Sequence, residues 1–265
     1  MTLSIAEKSY LYDSLIATPS IRPDGRQPHQ LRPIDIHTSF LQSSDGSSRV
    51  ITSDGSECIV SIKSRIVDHT TLEDKDDLVA IEIDIPGERD DSVIVESCNS
   101  LFTKALRSID RSKLQLTQKY SFKIFVDVLV PAYNAYPVSL ISFGIYTALN
   151  CTYLPKLISG FDDLEVEELP MFHDYDLVKL DVKVPLLFVL AVVGSNILID
   201  PAANESEVAN NGLVVSWLDG EIIPPVRTVA LNTNYIAGFQ PEVIKEGANL
   251  VRKYAPEVAK ALSNL

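Results

Sequence analysis

The sequence is poor in cysteine and glycine, and each shortage excludes a class of protein. Its three cysteines, Cys58, Cys98 and Cys151, lie far apart with no C-x-x-C pair, so we expect no disulfide framework and a reducing compartment. The 11 glycines form neither G-x-G-x-x-G nor G-x-x-x-x-G-K-[ST], which argues against a nucleotide-binding loop. The four histidines show no metal-ligand spacing, so neither a metal nor a cofactor is predicted.

Long hydrophobic runs and positive charge are also scarce. The most apolar stretch, residues 185–193, is far shorter than the roughly 20 residues of a membrane-spanning helix and predicts a buried strand. The first residues show no basic region followed by an apolar run, so we expect a cytosolic or nuclear protein. With 23 Lys+Arg against 36 Asp+Glu, the net charge is -13. Any contact with nucleic acid must therefore be local, and no membrane contact is expected.

What the chain does have is the apolar content of a globular protein. With 265 residues, 46% of them hydrophobic, it can bury a large core as one domain or two closely packed halves. Strands in hairpins alternate with strands joined through helices, which is typical of an α+β fold with mixed sheets. The expected helices cover residues 4–17, a stretch from Asp91 or Ser92, residues 138–149 and a helix from Pro241 that either continues past Pro256 or breaks there. The expected strands cover residues 50–52, 58–66, 78–85, 120–130, 186–193, 197–200, 213–218 and 221–223.

One short stretch reverses the overall charge. Residues 104–123 carry six cations against Asp110 alone, a local balance of +5. Its candidate phosphate contacts are Lys104, Arg107, Arg111 and Lys113. Arg107 and Arg111 are four residues apart, so we expect them to share a helix face or its C-terminal extension, where they could hold the phosphates of one RNA strand. The alternative is that cations near a helix C-terminus complement the helix dipole.

The N-terminal stretch Arg22-Pro-Asp-Gly-Arg-Gln-Pro-His-Gln-Leu-Arg-Pro-Ile34 resembles the signature of the RNase PH family, R-x-D-G-R followed by an L-R-P-I-type segment. Later features keep the family's order, so the resemblance covers roughly residues 5–261. It implies two β-α-β-type halves with mixed sheets and flanking helices, about 1–130 and 131–265, packed as one body. It also implies a place in a six-membered ring around an RNA channel.

The signature residues Arg22, Asp24, Gly25 and Arg26 are expected to support the fold or an interface rather than chemistry. Gly25 allows a tight turn. The alternating charges around it could lock this arm against a neighbour or against the chain's own core. The resemblance adds weight to Arg107 and Arg111, because the corresponding helix of active family members carries arginines that contact RNA or phosphate.

Active members of the family are phosphorolytic, with phosphate attacking the 3′-terminal phosphodiester. They hold phosphate with a Gly-Thr-Arg element where this chain has Tyr136-Pro137-Val138-Ser139, and their catalytic aspartate corresponds to residues 210–212, Asn-Asn-Gly. The resemblance therefore implies a non-catalytic ring subunit of the eukaryotic exosome. One alternative is an active phosphate-dependent 3′→5′ exoribonuclease in which Glu207 or Asp200 replaces the aspartate. Another is an interaction module unrelated to RNA.

The resemblance also implies the surroundings of the chain. Expected partners are other RNase PH-like subunits in a hetero-hexameric ring, cap proteins with OB-fold or KH domains, a separate catalytic ribonuclease, and single-stranded RNA in the channel. The expected locations are the nucleus, the nucleolus and the cytoplasm.

Overall fold

The computed structural model describes residues 3–68, 78–89, 91–158, 170–232 and 240–264. Its α-helices are α1 (Ile5–Ile16), α2 (Val93–Leu106), α3 (Val138–Asn150), α4 (Ala203–Val208) and α5 (Pro241–Ser263). Its strands are β1 (Ile34–Thr38), β2 (Gly46–Thr52), β3 (Glu57–Asp68), β4 (Val79–Asp84), β5 (Tyr120–Ala132), β6 (Tyr153–Leu157), β7 (Phe172–Lys179), β8 (Leu186–Val193), β9 (Asn196–Ile199), β10 (Asn211–Leu218) and β11 (Glu221–Val229).

The first sheet has the strand order β1-β2-β3-β5-β4. The β2–β3 hairpin turns at Asp54-Gly55, as the sequence predicts, with Gly55 at a φ of +83°. Strand β4, at the edge of this sheet, runs parallel to β5, and the other neighbouring strands of the sheet pair antiparallel. Because parallel neighbours need a crossover, α2 lies between β4 and β5 in the chain and packs against β4.

The second sheet has the order β11-β10-β8-β9 and is antiparallel throughout. All eight residues of β8 are buried, which confirms the strand predicted from residues 186–193. Gly194, at a φ of +59°, makes the turn into β9. Strands β6 and β7 form a separate two-stranded ribbon.

Helix α3 packs between the two sheets, against β2, β3 and β8. The hydroxyl oxygens of Ser139 and Ser142 accept hydrogen bonds from the backbone N–H groups of Val189 and Leu187, at 2.9 and 2.7 Å. These strand residues lie beyond the part of β8 that pairs with β9, so helix hydroxyls satisfy an otherwise open strand edge. The two sheets and the helices between them confirm an α+β fold with mixed sheets.

Of the two outcomes left open at Pro256, the structure shows continuation. Helix α5 passes through Pro256, which is exposed, so water can reach the carbonyl that loses its helical partner. Strands β1, β6 and β7 and the short helix α4 were not predicted from the sequence. The first sheet draws its strands from residues 34–132 and the second from residues 186–229, while a boundary near residue 130 between two halves stays a prediction. No helix among the described residues is long and apolar enough to cross a bilayer.

Candidate functional site

The N-terminal arm, residues 17–33, has no regular secondary structure and is held by a cluster of arginines and carboxylates. At its centre Arg22 donates from Nε and Nη2 to both oxygens of Glu205 on α4, at 2.7 and 2.6 Å. Neither side chain has any solvent-exposed surface. Arg22 also donates to the backbone carbonyls of Ile199 and Asp200, each at 3.1 Å. The guanidinium is therefore saturated by partners within the chain.

Arg26 and Arg32 extend this cluster. Arg26 donates from Nε to Asp24 at 2.6 Å and from Nη1 to the Asp200 carbonyl at 3.1 Å. Arg32 donates from Nη2 and Nε to the two carboxylate oxygens of Asp200, at 2.7 and 3.0 Å, and from Nη1 to Asp54 at 2.6 Å. We call the residues Arg22, Asp24, Arg26, Arg32, Asp54, Asp200 and Glu205 the arginine clasp.

Local backbone geometry brings the clasp together. Gly25 has a φ of +75° and its N–H donates to the Arg22 carbonyl, so a tight turn places Arg22 and Arg26 side by side. Asp200, directly after β9, has a φ of +50°, a conformation that aspartate tolerates better than most residues. Burial would lower the pKa of the Arg32 guanidinium, but the bonds and charges of Asp200 and Asp54 outweigh it and raise that pKa.

The clasp is a structural device. It joins an irregular arm to α4, to the end of β9 and to the β2–β3 turn, where Asp54 lies. A buried arginine needs a paired and hydrogen-bonded carboxylate, and removal of one partner leaves a charge that water cannot reach. The structure thus places Arg22, Asp24, Gly25 and Arg26 together in the fold of the chain itself, and it adds Arg32, which sequence reasoning did not select.

The second group of predicted residues lies at and just beyond the C-terminal end of α2. We call these four cations the basic stretch: Lys104, Arg107, Arg111 and Lys113. Of the two arrangements expected for Arg107 and Arg111, a shared helix face or the C-terminal extension of the helix, the structure has the second, because α2 ends at Leu106 and Arg107 is its C-terminal cap. Asp110 then caps a separate 3-10 helix by accepting from the Ser112 N–H at 3.0 Å. Arg111 Nη2 still lies 3.5 Å from the Arg107 carbonyl, so the two arginines remain neighbours.

The basic stretch is solvent-facing, unlike the clasp. Lys104 and Arg107 are exposed and pair with no carboxylate among the described residues. Lys113 lies 3.3 Å from Asp181, but both side chains are at least half exposed. Lys104 is in the last turn of α2, where a cation also complements the helix dipole. Lys104, Arg107 and Lys113 are therefore accessible to a polyanion, whereas Arg111 is half-buried.

A cavity of about 850 Å³ lies at the opposite end of α2. One of its lining residues is Tyr136, which belongs to the segment in the place of the family's Gly-Thr-Arg element. The Tyr136 hydroxyl lies 3.1 Å from the Ser97 hydroxyl. Burial raises the pKa of Tyr136. The cation on the cavity wall is Arg227 of β11, which nothing in the sequence pattern indicated. At 1.5 Å per helical residue, Arg107 is about 15 Å along the helix from Ser97.

The carboxylates proposed as replacements for the catalytic aspartate all have partners. Asp200 belongs to the clasp, where Arg32 binds both of its carboxylate oxygens. Glu207 lines the cavity, but Lys8 lies 3.1 Å from its carboxylate and lowers its pKa, aided by the Leu3 N–H. An ionised carboxylate is a poor proton donor. Within the described ranges, no group of three or more His, Cys, Asp and Glu side chains is placed to hold a metal ion.

The chain resembles proteins of known complexes along its whole length. No family model matches it. It is 65% identical over 268 residues to "Exosome complex component RRP42" of Saccharomyces cerevisiae, with 100% of both chains covered. It is 28% identical over 257 residues to "Exosome complex component rrp42" of Schizosaccharomyces pombe, covering 89% of this chain and 85% of the relative.

Solved structures share the fold at lower identity. A chain of "Archaeal exosome core" superposes with a TM-score of 0.74 at 18% identity, covering 97% of this chain and 96% of that one. A chain of "archaeoglobus fulgidus exosome with RNA bound to the active site" gives 0.74 at 17% identity, with 97% of both covered. At these identities the structures establish the fold.

Proposed function

The chain belongs to the family of exosome complex component RRP42, with an RNase PH-like fold, and from that premise we propose that it is a non-catalytic ring subunit of an RNA exosome. In this role it closes the ring and shapes the channel through which RNA passes. The full-length identity of 65% to the yeast subunit carries the proposal of a place in the ring. The absence of catalysis is a further proposal with its own support.

The engagement of the carboxylates supports a non-catalytic role. Asp200 is bound by Arg32, Glu205 by Arg22 and Glu207 by Lys8. The Tyr136–Ser139 segment at the start of α3 brings no cation to the cavity, and Ser139 is occupied by the β8 backbone. Phosphorolysis needs an anion site and a free acid or metal ligand in one place. Asp200, Glu205 and Ser139 are instead engaged in contacts that hold the fold, and Glu207 is paired with Lys8.

The basic stretch is the part of the chain that we propose touches RNA. Lys104, Arg107, Arg111 and Lys113 offer guanidinium and ammonium donors at the surface of a chain whose net charge is -13. Such groups bind backbone phosphates without reading sequence. Contact confined to one surface would let RNA move through a channel without adhering to the rest of the subunit.

The partners and locations follow from the same proposal. Ring neighbours are other RNase PH-like chains, and cap proteins with OB-fold or KH domains and a separate ribonuclease complete the particle. Because the catalytic work lies elsewhere, the chain should be found wherever the particle acts, in the nucleus, the nucleolus and the cytoplasm.

Native mass spectrometry of particles purified through a tag on this chain tests the ring assignment, with a phosphorolysis assay of the free chain in parallel. We expect six related ring chains with caps and a free subunit that leaves RNA unshortened in phosphate. A free chain that releases nucleoside diphosphates would overturn the non-catalytic assignment. Such a result would favour the alternative of an active exoribonuclease. The observation behind this alternative is that a cation, Arg227, and a carboxylate, Glu207, line the same cavity.

A further inference from the structure

Two serines of this chain have a cation on each side, and the structure gives them opposite surroundings. They are Ser64, at the centre of residues 63–65 (Lys-Ser-Arg), and Ser112, at the centre of residues 111–113 (Arg-Ser-Lys). Protein kinases select their acceptor serines partly by the charges around them. Both serines therefore carry the flanking charge that a kinase selective for basic neighbours recognises, and the fold decides which of the two is accessible.

Ser64 is held inside a sheet. It is half-buried in β3, opposite Ile124 of β5. Its N–H and its hydroxyl both donate to one carboxylate oxygen of Asp45, at 2.7 and 2.6 Å. An enzyme that drew this hydroxyl into its own cleft would have to separate β3 from β5.

Ser112 lies in an exposed turn. It belongs to the 3-10 helix Arg111–Leu114, which has four residues and joins α2 to β5. Its hydroxyl donates to Asp110 at 2.8 Å, in a contact that water reaches. Short 3-10 turns have poorer hydrogen-bond geometry than α-helices. The Ser112 hydroxyl can therefore leave Asp110 without disturbing a sheet.

The accessible serine lies within the basic stretch. Arg111 and Lys113 are its chain neighbours, and the Arg107 carbonyl lies 3.5 Å from Arg111 Nη2. Residues 104–113 carry four cations and one carboxylate, a balance of +3. A phosphoserine adds about -1.5 to -2 at pH 7, together with three strong acceptor oxygens. One phosphate would thus remove half or more of the local positive charge.

We propose that Ser112 is a phosphorylation site whose modification releases RNA from the basic stretch. A kinase selective for basic neighbours transfers the γ-phosphoryl group of a nucleoside triphosphate to Ser112 Oγ. The bond from the γ-phosphorus to the bridging oxygen breaks, the bond to Oγ forms, the hydroxyl proton passes to a base of the kinase, and a nucleoside diphosphate leaves.

The phosphate acts on the cations beside it. Arg111 and Lys113 donate charge-assisted hydrogen bonds to its oxygens, so these donors are no longer available to an RNA backbone. The negative charge of the phosphate also repels RNA directly. The inference rests on the proposed function in taking RNA as the polyanion that is displaced.

Mass spectrometry of the particle tests the modification. Particles purified from cells with phosphatase inhibitors should carry phosphate on Ser112 and none on Ser64. Dephosphorylated particles should regain phosphate on Ser112 alone when they are incubated with adenosine triphosphate and a serine kinase selective for basic neighbours. A cellular particle without phosphate on Ser112, or equal modification of both serines, overturns the inference.

Crosslinking to single-stranded RNA tests the consequence. Phosphorylated particles should crosslink on the order of tenfold less than dephosphorylated ones. The slope of log binding constant against log salt should also become shallower by about 0.7 for each neutralised cation, a change that a merely structural effect would not produce. Ser112→Ala should not respond to the kinase. Ser108→Ala is the matched control: Ser108 has a cation on one side only and donates to the Ala105 carbonyl at 2.7 Å, and this variant should respond like the wild type.

The outcomes separate this inference from the proposed function. Phosphate on Ser112 without weaker crosslinking, or an equal loss of crosslinking in Ser112→Ala after kinase treatment, overturns the inference and leaves the proposed function standing. The proposed RNA contact fails instead if Arg107→Glu/Arg111→Glu leaves the crosslinking of dephosphorylated particles unchanged. The presence or absence of phosphate on Ser112 then decides the modification site by itself.

Discussion

The arginine clasp and the basic stretch use the same guanidinium chemistry in opposite settings. In the clasp, Arg22 has no exposed side-chain surface and meets both oxygens of Glu205. In the basic stretch, Arg107 is exposed and has no carboxylate partner among the described residues. A buried cation is committed to the fold, because leaving it unpaired is too costly. An exposed cation contributes little to stability and remains available to a polyanion.

This difference separates two kinds of evidence within one chain. The R-x-D-G-R signature by which the family is identified serves the fold, since its charges are satisfied inside the chain. Surface cations without a signature serve the proposed contact with RNA. A recognisable motif therefore shows the family and the architecture, while function has to be sought among the charges that remain exposed at the surface.

The largest expected effect comes from neutralising the buried partner of Arg22. Glu205→Gln keeps the shape of the side chain but leaves Arg22 without its counter-charge, so the free energy of unfolding should fall by about 3–5 kcal/mol. Urea denaturation measures the loss. Glu207→Gln is the matched control on the same helix: its pair with Lys8 is partly exposed, so it should cost less than about 1 kcal/mol. Equal losses in the two variants would contradict the division between buried and exposed pairs.

Asp200→Asn tests the clasp and the enzyme alternative together. Asparagine accepts the positive φ of this position and keeps one oxygen for Arg32, but it loses the charge and the second bond. The free energy of unfolding should fall by about 1.5–3 kcal/mol, with no phosphorolysis to lose. Asp35→Asn, at an exposed pair with His37, should stay within about 0.5 kcal/mol. Release of nucleoside diphosphates by the wild type that Asp200→Asn abolishes would instead make Asp200 catalytic.

Substitutions in the basic stretch should weaken the contact with RNA and leave the stability of the chain nearly unchanged. Arg107→Glu/Arg111→Glu in the assembled particle should reduce crosslinking to single-stranded RNA on the order of tenfold, because two phosphate contacts become repulsive. The free energy of unfolding should change by less than about 0.5 kcal/mol. Lys245→Glu/Arg252→Glu on α5 makes the same change of charge elsewhere and should leave crosslinking unaltered. Unchanged crosslinking in the first variant would exclude this surface as a major RNA contact.

Much of the fold could be predicted from local pattern. Helix α1 lies within the predicted range 4–17 and begins at a capping box of Ser4 and Glu7, and the fully apolar run of β8 is buried on both faces. The ribbon strand β7 was missed because its sequence, FHDYDLVK, mixes exposed apolar and acidic residues and has neither the alternation nor the continuous apolarity of a covered strand. Its pairing with β6 is a tertiary contact that local sequence pattern does not show.

Several residues of the candidate site could be selected from the sequence, but the contacts that they make could not be predicted. Arg22 and Arg26 could be selected from the motif, yet Glu205 lies 183 residues from Arg22, and nothing in local spacing predicts that pair. Arg227 reaches the cavity from a strand with no motif at all. The break between Arg107 and Arg111 depends on Asp110 capping a new turn, whereas a spacing of four residues equally permits one continuous helix.

The smallest expected effect is a loss of stability at low pH, caused by protonation of Asp54 at the edge of the clasp. Although burial raises the pKa of Asp54, hydrogen bonds from Thr52 and Ser56 and the charge of Arg32 outweigh it and hold that pKa below its usual value. A carboxyl whose pKa is lower in the folded than in the unfolded chain contributes stability that is complete above the unfolded value, near 4, and disappears as the pH falls through the folded value. Because Asp54 is partly exposed, solvent screening should keep its share below about 1 kcal/mol. The difference between the urea midpoints of the wild type and Asp54→Asn should thus be the same at pH 7 and pH 5, and it should shrink as the pH falls to 3. A difference that stays constant down to pH 3 would show that Asp54 contributes through its hydrogen bonds rather than through its charge.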